Sequence, residues 1–230
     1  MRVRISFVAT LAAASVACTQ PQPDPVPVAD PVALAERLRT RATPEQSQLI
    51  EFEWRYRGRD GRFTGDGGLR VNPPDSVRLD LLGPGWSGVQ SAVMLGDDVY
   101  YLGEQRVALP PPTFMWTMLG AFRPPVGIVP EGSRRGERTE LFYRLSPRET
   151  VAFYFEGSGQ LVEAELLVDG DAVQTIKVEP GDAVGSGTGH RWPVEARYRD
   201  LGEFHEVRIK VTGIRNHERF EGRIFQVASR

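Results

Sequence analysis

The sequence predicts a mainly β protein of the α+β kind, a strongly curved antiparallel half-barrel of about 10-11 strands with short helices covering its concave face. Three observations carry this expectation. Apolar and polar residues alternate with period two in successive runs between Ile50 and Val227, the pattern of half-buried strands. Turns such as Gly96-Asp97-Asp98, Gly157-Ser158-Gly159 and Asp169-Gly170 separate the runs at hairpin spacing. A sheet of that many strands must curl or close to hide its apolar face.

Residues 1–17 read as an export signal. Arg2 and Arg4 make a basic start, Ile5 to Ala17 is apolar or small, and Ser15-Val16-Ala17 presents the small residues that a signal peptidase needs. As a helix the apolar stretch reaches only ~20 Å, short of a ~30 Å hydrocarbon core. Cys18, the single cysteine of the chain, follows directly. The string S-V-A-C is similar to a bacterial lipoprotein signal, whose cysteine carries the lipid; cleavage at the same triplet that leaves a spare thiol is the other reading. Thr19, not Asp, stands after Cys18, and by the same resemblance this points to the outer membrane. Residues 18–31 form the lipidated Cys and a Pro-rich tether, TQPQPDPVPVADP from Thr19, which as polyproline II at ~3.1 Å per residue would hold the domain up to ~40 Å from its anchor.

The folded domain is expected over 32–230. Asp30 is an N-cap and Pro31 an N1 residue, and Val32, Leu34, Ala35 and Leu38 recur at helical spacing through about Arg41. Ile50, Phe52, Trp54 and Tyr56 then alternate with Glu51, Glu53, Arg55 and Arg57, a strand with one aromatic face. Phe63, Leu69 and Val71 mark a second strand, in which Gly65, Gly67 and Gly68 predict a bulge or strong curvature. Further strands are predicted at 77–81, 89–95, 99–102, 107–109, 141–145, 151–155, 162–168, 173–178, 194–198, 204–211 and 223–227. Pro110-Pro111-Pro112 interrupts them and leads into TFMWTMLGAF at 113–122, an apolar helix ended by Arg123-Pro124-Pro125 and positioned as a lid. Gly181 to Gly189 reads as a flexible linker, because no Lys follows its glycines as a phosphate loop requires.

The chemistry of the chain argues against an enzyme. Its 230 residues carry a formal net charge of -2; without Arg2 and Arg4, 26 basic residues face 30 acidic ones, or -4, which excludes the basic surplus of a nucleic-acid binder. His190, His205 and His217 have no helical i, i+4 pair and no cysteine to complete a soft site, so no metal is expected. No cofactor motif is present. Gly85-Trp86-Ser87-Gly88 lacks the spacing of a nucleophile elbow, and Glu163 and Glu165 share the polar side of a strand whose other side is apolar.

The tryptophans say more. Trp54 sits on a buried strand face, as core or as cavity lining, and Trp116 lies among Phe114, Met115, Met118, Leu119 and Phe122 in an adaptable apolar surface. Trp86 stands in the tight turn Gly83-Pro84-Gly85-Trp86-Ser87-Gly88, where a large ring either meets a membrane interface or folds back on the sheet.

This arrangement resembles the superfamily of outer-membrane lipoprotein receptors and periplasmic lipoprotein carriers, LolB and LolA. Val77 to Trp86 is similar to the receptor's strand and protruding apolar loop, Leu102 to Phe122 to the part where helices cover a half-barrel, and Phe153 to Glu165 to a later hairpin. The resemblance implies an outer-membrane-anchored, periplasm-facing, non-enzymatic monomer. It would bind acyl chains of lipoproteins or lipids in an apolar cavity and assist their transfer to or insertion in the outer membrane, with a periplasmic carrier as a further partner. The ligand-binding residues so implied are Phe52, Trp54, Tyr56, Leu79 and Val93 on the sheet, beside Ile50, and Phe114, Trp116, Leu119 and Phe122 on the lid, with Trp86 as membrane contact. The alternative is a cell-envelope scaffold or assembly factor whose apolar helix docks a protein partner.

Overall fold

Strands β1 (Val26–Pro27), β2 (Gln48–Gly58), β3 (Gly61–Asn72), β4 (Ser76–Leu82), β5 (Val89–Leu95) and β6 (Asp98–Leu102) form the first part of the chain, with helix α1 (Pro31–Arg41) between β1 and β2. Helix α2 (Pro112–Met118) follows, and then β7 (Glu131–Arg135), β8 (Arg138–Arg144), β9 (Glu149–Glu156), β10 (Gln160–Val168), β11 (Asp171–Pro180), β12 (Pro193–Asp200) and β13 (His205–Asn216). The computed structural model describes residues 23–83, 89–103, 107–157, 159–181 and 190–227. The export signal, Cys18, Trp86 and most of the Gly181 to Gly189 segment lie outside the described residues.

The 13 strands of the described residues join one antiparallel sheet in the order β1-β7-β8-β9-β10-β11-β12-β13-β2-β3-β4-β5-β6. It is not closed into a barrel: β1 and β6 are its two edges. Most apolar residues of the strands point to one concave side, where both helices lie. The period-two pattern is strictest in β2, with Ile50, Phe52, Trp54 and Tyr56 buried and Glu51, Glu53, Arg55 and Arg57 exposed.

The glycines of β3 do not make a bulge. Pairing runs without a shift from Gln48↔Val71 to Gly58↔Gly61, and it sets Phe52 opposite Gly67 and Trp54 opposite Gly65. A Cβ at Gly67 would stand 2.3 Å from the Phe52 ring, and one at Gly65 only 1.9 Å from the Leu82 carbonyl oxygen. The glycines make room for aromatic rings to lie across the neighbouring strand, covering backbone that has no side chain of its own.

Three further expectations change. Residues 107–109 form no strand, because Val107 is held by the Gln90 side chain instead of a ladder. Residues Gly222–Phe225 form a 3-10 turn, not a strand, and it packs on the convex face against β4 and β5. The Pro-rich tether is not free to Pro31: Val26 and Pro27 pair with Arg134 and Ser133 of β7, and Val28 N–H donates to the Gly132 carbonyl at 2.9 Å. The α1 expectation matches residue for residue, with Pro31 at its start and the Asp30 carboxylate accepting from Ala33 N–H at 2.9 Å.

The convex side is polar and cross-linked. Asp80 accepts from Arg70, from Arg78 and from the Ser91 hydroxyl, and Glu163 pairs with Arg138 at 2.7 Å and Lys177 at 3.4 Å. Glu165 accepts from the Tyr154 hydroxyl at 2.8 Å. The two carboxylates read from the sequence as a solvated face are therefore engaged in strand-to-strand links.

Because neighbouring strands are antiparallel, hairpin turns alternate between the two rims of the sheet. The β4–β5, β2–β3 and β12–β13 turns share one rim. The β7–β8, β9–β10 and β11–β12 connections share the other, and there the chain enters, with Pro23 beside Gly136.

Candidate ligand cavity

The concave face carries one continuous apolar cluster drawn from both helices and from strands across the sheet. Helix α2 roofs it. It starts at Pro111-Pro112, which fix its entry, and ends at Gly120, whose φ of 71° takes the left-handed turn that an L side chain resists. That ends the helix at Met118, short of the 122 the sequence suggested. Phe114 to Leu119 are all buried, so α2 has no free apolar face on which a partner could dock while it sits on the sheet.

Between α2 and the β2–β4 and β13 strands lies a cavity lined by Phe52, Trp54, Leu69, Leu79, Leu81, Leu109, Met115, Met118, Leu119, Val207 and Ile209. Its lining is almost wholly apolar, and its volume is only ≈ 20 Å³, room for about one water molecule. The structure is thus a closed state with the concave face filled by side chains. Two methionines in the roof give that filling the freedom to rearrange.

The predicted ligand residues divide into groups. Phe52, Trp54, Leu79 and Leu119 meet around this cavity. Phe114 and Phe122 pack over the other half of the sheet, Phe114 at 5.9 Å from the Tyr198 ring and Phe122 edge-on to Phe153 and Phe155 at 4.9 and 5.0 Å. Tyr56 stands toward the β2–β3 rim, stacked on Phe63 at 5.9 Å with its hydroxyl on Asp60 at 3.3 Å. Trp116 is a clasp: its Nε1 donates to the Gly96 carbonyl at 2.9 Å and the Arg123 guanidinium lies 4.7 Å over its ring. Arg123 also donates to the Pro74 carbonyl at 2.8 Å.

Val93 does not face the cavity. It pairs with Arg78 in β4 and packs on the convex side with Phe220 and Phe225. Its neighbours Ala92 and Met94 are the concave ones. The run Gln90 to Met94 is buried on both faces, so alternation alone gave no phase there. Sequence reasoning also missed Gln90, a buried polar residue on the concave face beside Leu81.

Trp54 Nε1 is satisfied by the carbonyls of Asp66 and Leu82, both at 3.1 Å. Beside Phe122 and Phe153 in the apolar cluster, the Tyr143 hydroxyl has no hydrogen-bond partner among the described residues, and burial pushes its pKa well above the usual phenol range. The last β4 and first β5 residues, Leu82 and Val89, face each other across the hairpin and are 50% and 44% exposed. Among the described residues no cluster of three metal-ligating side chains occurs, and no helix is long and apolar enough to cross a membrane.

No protein-family profile matches the chain, and no curated protein resembles it in sequence. Solved structures do. A LolA superfamily protein from Nitrosomonas europaea superposes on 87% of this chain and 99% of its own with a TM-score of 0.57 at 13% identity. A DUF1329 family protein from Desulfovibrio piger aligns with 86% of this chain and 98% of its own at a TM-score of 0.48 and 11% identity. A putative outer membrane lipoprotein-sorting protein domain from Vibrio parahaemolyticus aligns with 84% and 94% at 0.46 and 10%.

Proposed function

With a LolA-like open half-barrel as its fold, we propose that this protein is a carrier or receptor for acyl chains, anchored to the outer membrane through Cys18 and assisting the delivery of lipoproteins or lipids there. The observation that supports this reading most is the concave face itself. It is apolar from one half of the sheet to the other, yet it is covered by two short helices, of which α2 has only seven residues, and not by a second sheet. A roof of that size can leave, and what it uncovers has the chemistry of an acyl chain. Each methylene buried contributes ~0.8 kcal/mol, so a chain drawn from a bilayer needs an equally apolar volume, and this face supplies one when α2 moves. Delivery requires only that burial here and burial in the membrane be closely matched. No covalent step is involved.

Trp86 and the exposed Leu82 and Val89 are assigned to membrane contact. Burial of α2 favours the acyl-chain reading over a scaffold that docks a protein partner on this helix. The test is native mass spectrometry of the chain carrying Cys18→Ser, incubated with a synthetic acylated lipopeptide and with its unacylated control. Stoichiometric binding of the acylated peptide alone is expected. A folded protein that ignores the acyl group would overturn the reading.

A further inference from the structure

A second cavity, polar on one side, opens at the rim where the chain enters the fold. It has a volume of ≈ 40 Å³ and lies among the C-terminal end of α1, the β9–β10 turn, the end of β11 and Gly120 just after α2. Arg41 and Arg191 stand at its mouth, and none of the described residues that line it is acidic. The Arg41 guanidinium lies along the β9–β10 turn, where a Cβ on Gly159 would come within 3.5 Å of it and within 2.6 Å of Leu38. Gly159, with φ of 94°, therefore lets the helix end close down on the turn.

Two polar groups on the wall lack a well-formed hydrogen bond among the described residues. His190 is 7% exposed, and neither ring nitrogen makes a hydrogen bond, although the Ala42 backbone lies close enough to act on its charge. Its ring stands edge-on to Trp192 at 4.6 Å. Gln160 Nε2 is also buried without an acceptor. Unpaired buried donors are costly to keep, so a site that keeps them is one that expects an acceptor from outside. The inner wall is different in kind: Leu161 and Val178 belong to the apolar cluster beneath α2.

We propose that this cavity is the headgroup site for an anionic, single-chain amphiphile. A carboxylate or phosphate head is held by Arg41 and Arg191 and takes hydrogen bonds from Gln160 Nε2 and one His190 N–H, and the chain runs inward over Leu161 and Val178 beneath α2. Neutral His190 supplies one donor, and the two guanidiniums supply the charge. This assignment rests on the acyl-chain reading and adds to it the chemistry of the head.

The test uses the full chain with Cys18→Ser and three probes of equal chain length: palmitate, palmitoyl lysophosphatidate and neutral hexadecanol, each titrated calorimetrically below its aggregation limit. The anionic probes are expected to bind about tenfold or more tighter than the alcohol, the worth of one charge-assisted bond. That preference should collapse to within about twofold in Arg41→Gln/Arg191→Gln, and should weaken in Gln160→Met, which changes one donor only. Palmitate against lysophosphatidate tells carboxylate from phosphate. Equal binding of charged and neutral probes, or a preference that survives the double arginine change in a protein that still melts cooperatively, overturns the headgroup site and leaves the acyl-chain reading standing. If no probe binds, charged or neutral, both fall.

Discussion

Gln90 and Val107 exchange two hydrogen bonds: the Gln90 amide donates to the Val107 carbonyl at 2.8 Å and its carbonyl accepts from Val107 N–H at 3.0 Å. A side chain on the concave face thus imitates one rung of a β ladder and ties down the segment that leads into α2. The other end of the roof is tied by Trp116 to Gly96 and by Arg123 to Pro74. Polar clasps at both ends of an apolar helix allow it to be registered in the closed state and released without tearing a long interface.

Gln90→Leu removes the first clasp and leaves two buried backbone groups of Val107 unpaired. Stability should fall by ~2–3 kcal/mol, read as a lower denaturant midpoint at constant m. Uptake of a fluorescent acyl probe should become faster. An unchanged midpoint together with unchanged uptake would mean that the roof is not held from this end.

Trp54 decides between a filled core and a standing cavity. It is 1% exposed, satisfied at its Nε1, and crosses Gly65 with the Leu82 carbonyl on the far side. Trp54→Ala should cost ~3–5 kcal/mol, as large-to-small changes in packed cores do, and Gly65→Ala should be damaging as well because its Cβ has nowhere to go. Denaturant unfolding of both variants checks this. A loss below ~1 kcal/mol at Trp54 would show that the space around it is open in solution.

Much of this fold was legible from local pattern. Asp30-Pro31 announced α1 to the residue, and the alternation of Ile50 to Tyr56 gave both the strand and its buried face. What alternation could not give was phase where both faces are covered. Val93 reads like a cavity residue and lies under Phe220 and Phe225 instead, because the C-terminal segment returns across the convex side, held by Asn72 to the backbone of Phe220. The clasps were illegible for a related reason. Gln90, Arg123 and Gly96 are far apart in sequence from what they hold, and nothing in their local strings marks a long-range partner. The headgroup residues share that property: Arg41, Gln160 and His190 come from three separate segments, and only the curl of the sheet brings them to one rim.

His190 sets a pH dependence. Burial lowers its pKa from the ordinary 6.5 to about 4, so the unfolded chain takes up the proton first as pH falls. Its folded-state neutrality has no cost above pH 6.5, and stability then declines as pH drops from 6.5 toward 4. Between pH 6.5 and pH 5 the decline due to this one residue should be ~2 kcal/mol. His190→Gln should flatten that part of the profile while leaving the carboxylate-driven loss at lower pH in place. Chemical denaturation at pH 7, 6 and 5 gives the comparison, and parallel profiles for the two proteins would count against a buried neutral histidine.

The pinned tether constrains how an anchored protein can use Trp86. With Val26 and Pro27 fixed to β7, only the links from Cys18 to Pro23 remain to span the gap to a membrane, at most ~18 Å fully extended. They join the fold at the rim that carries the β7–β8 turn, whereas β4 and β5, whose connecting sequence contains Trp86, meet at the opposite rim, and 11-residue β2 alone measures ~35 Å from one rim to the other. Anchor and Trp86 can touch one bilayer only if the sheet lies along its surface or the two-residue β1 peels away. Inserting about ten Gly/Ser residues after Thr19 relieves that constraint, since a flexible segment of this length adds ~17 Å of mean reach. Delivery of an acylated cargo to vesicles that carry the anchored protein should then speed up, and Trp86→Glu should abolish the gain. If the insertion leaves delivery unchanged while Trp86→Glu still impairs it, the domain already lies flat on the membrane. If neither change matters, Trp86 has no part in delivery.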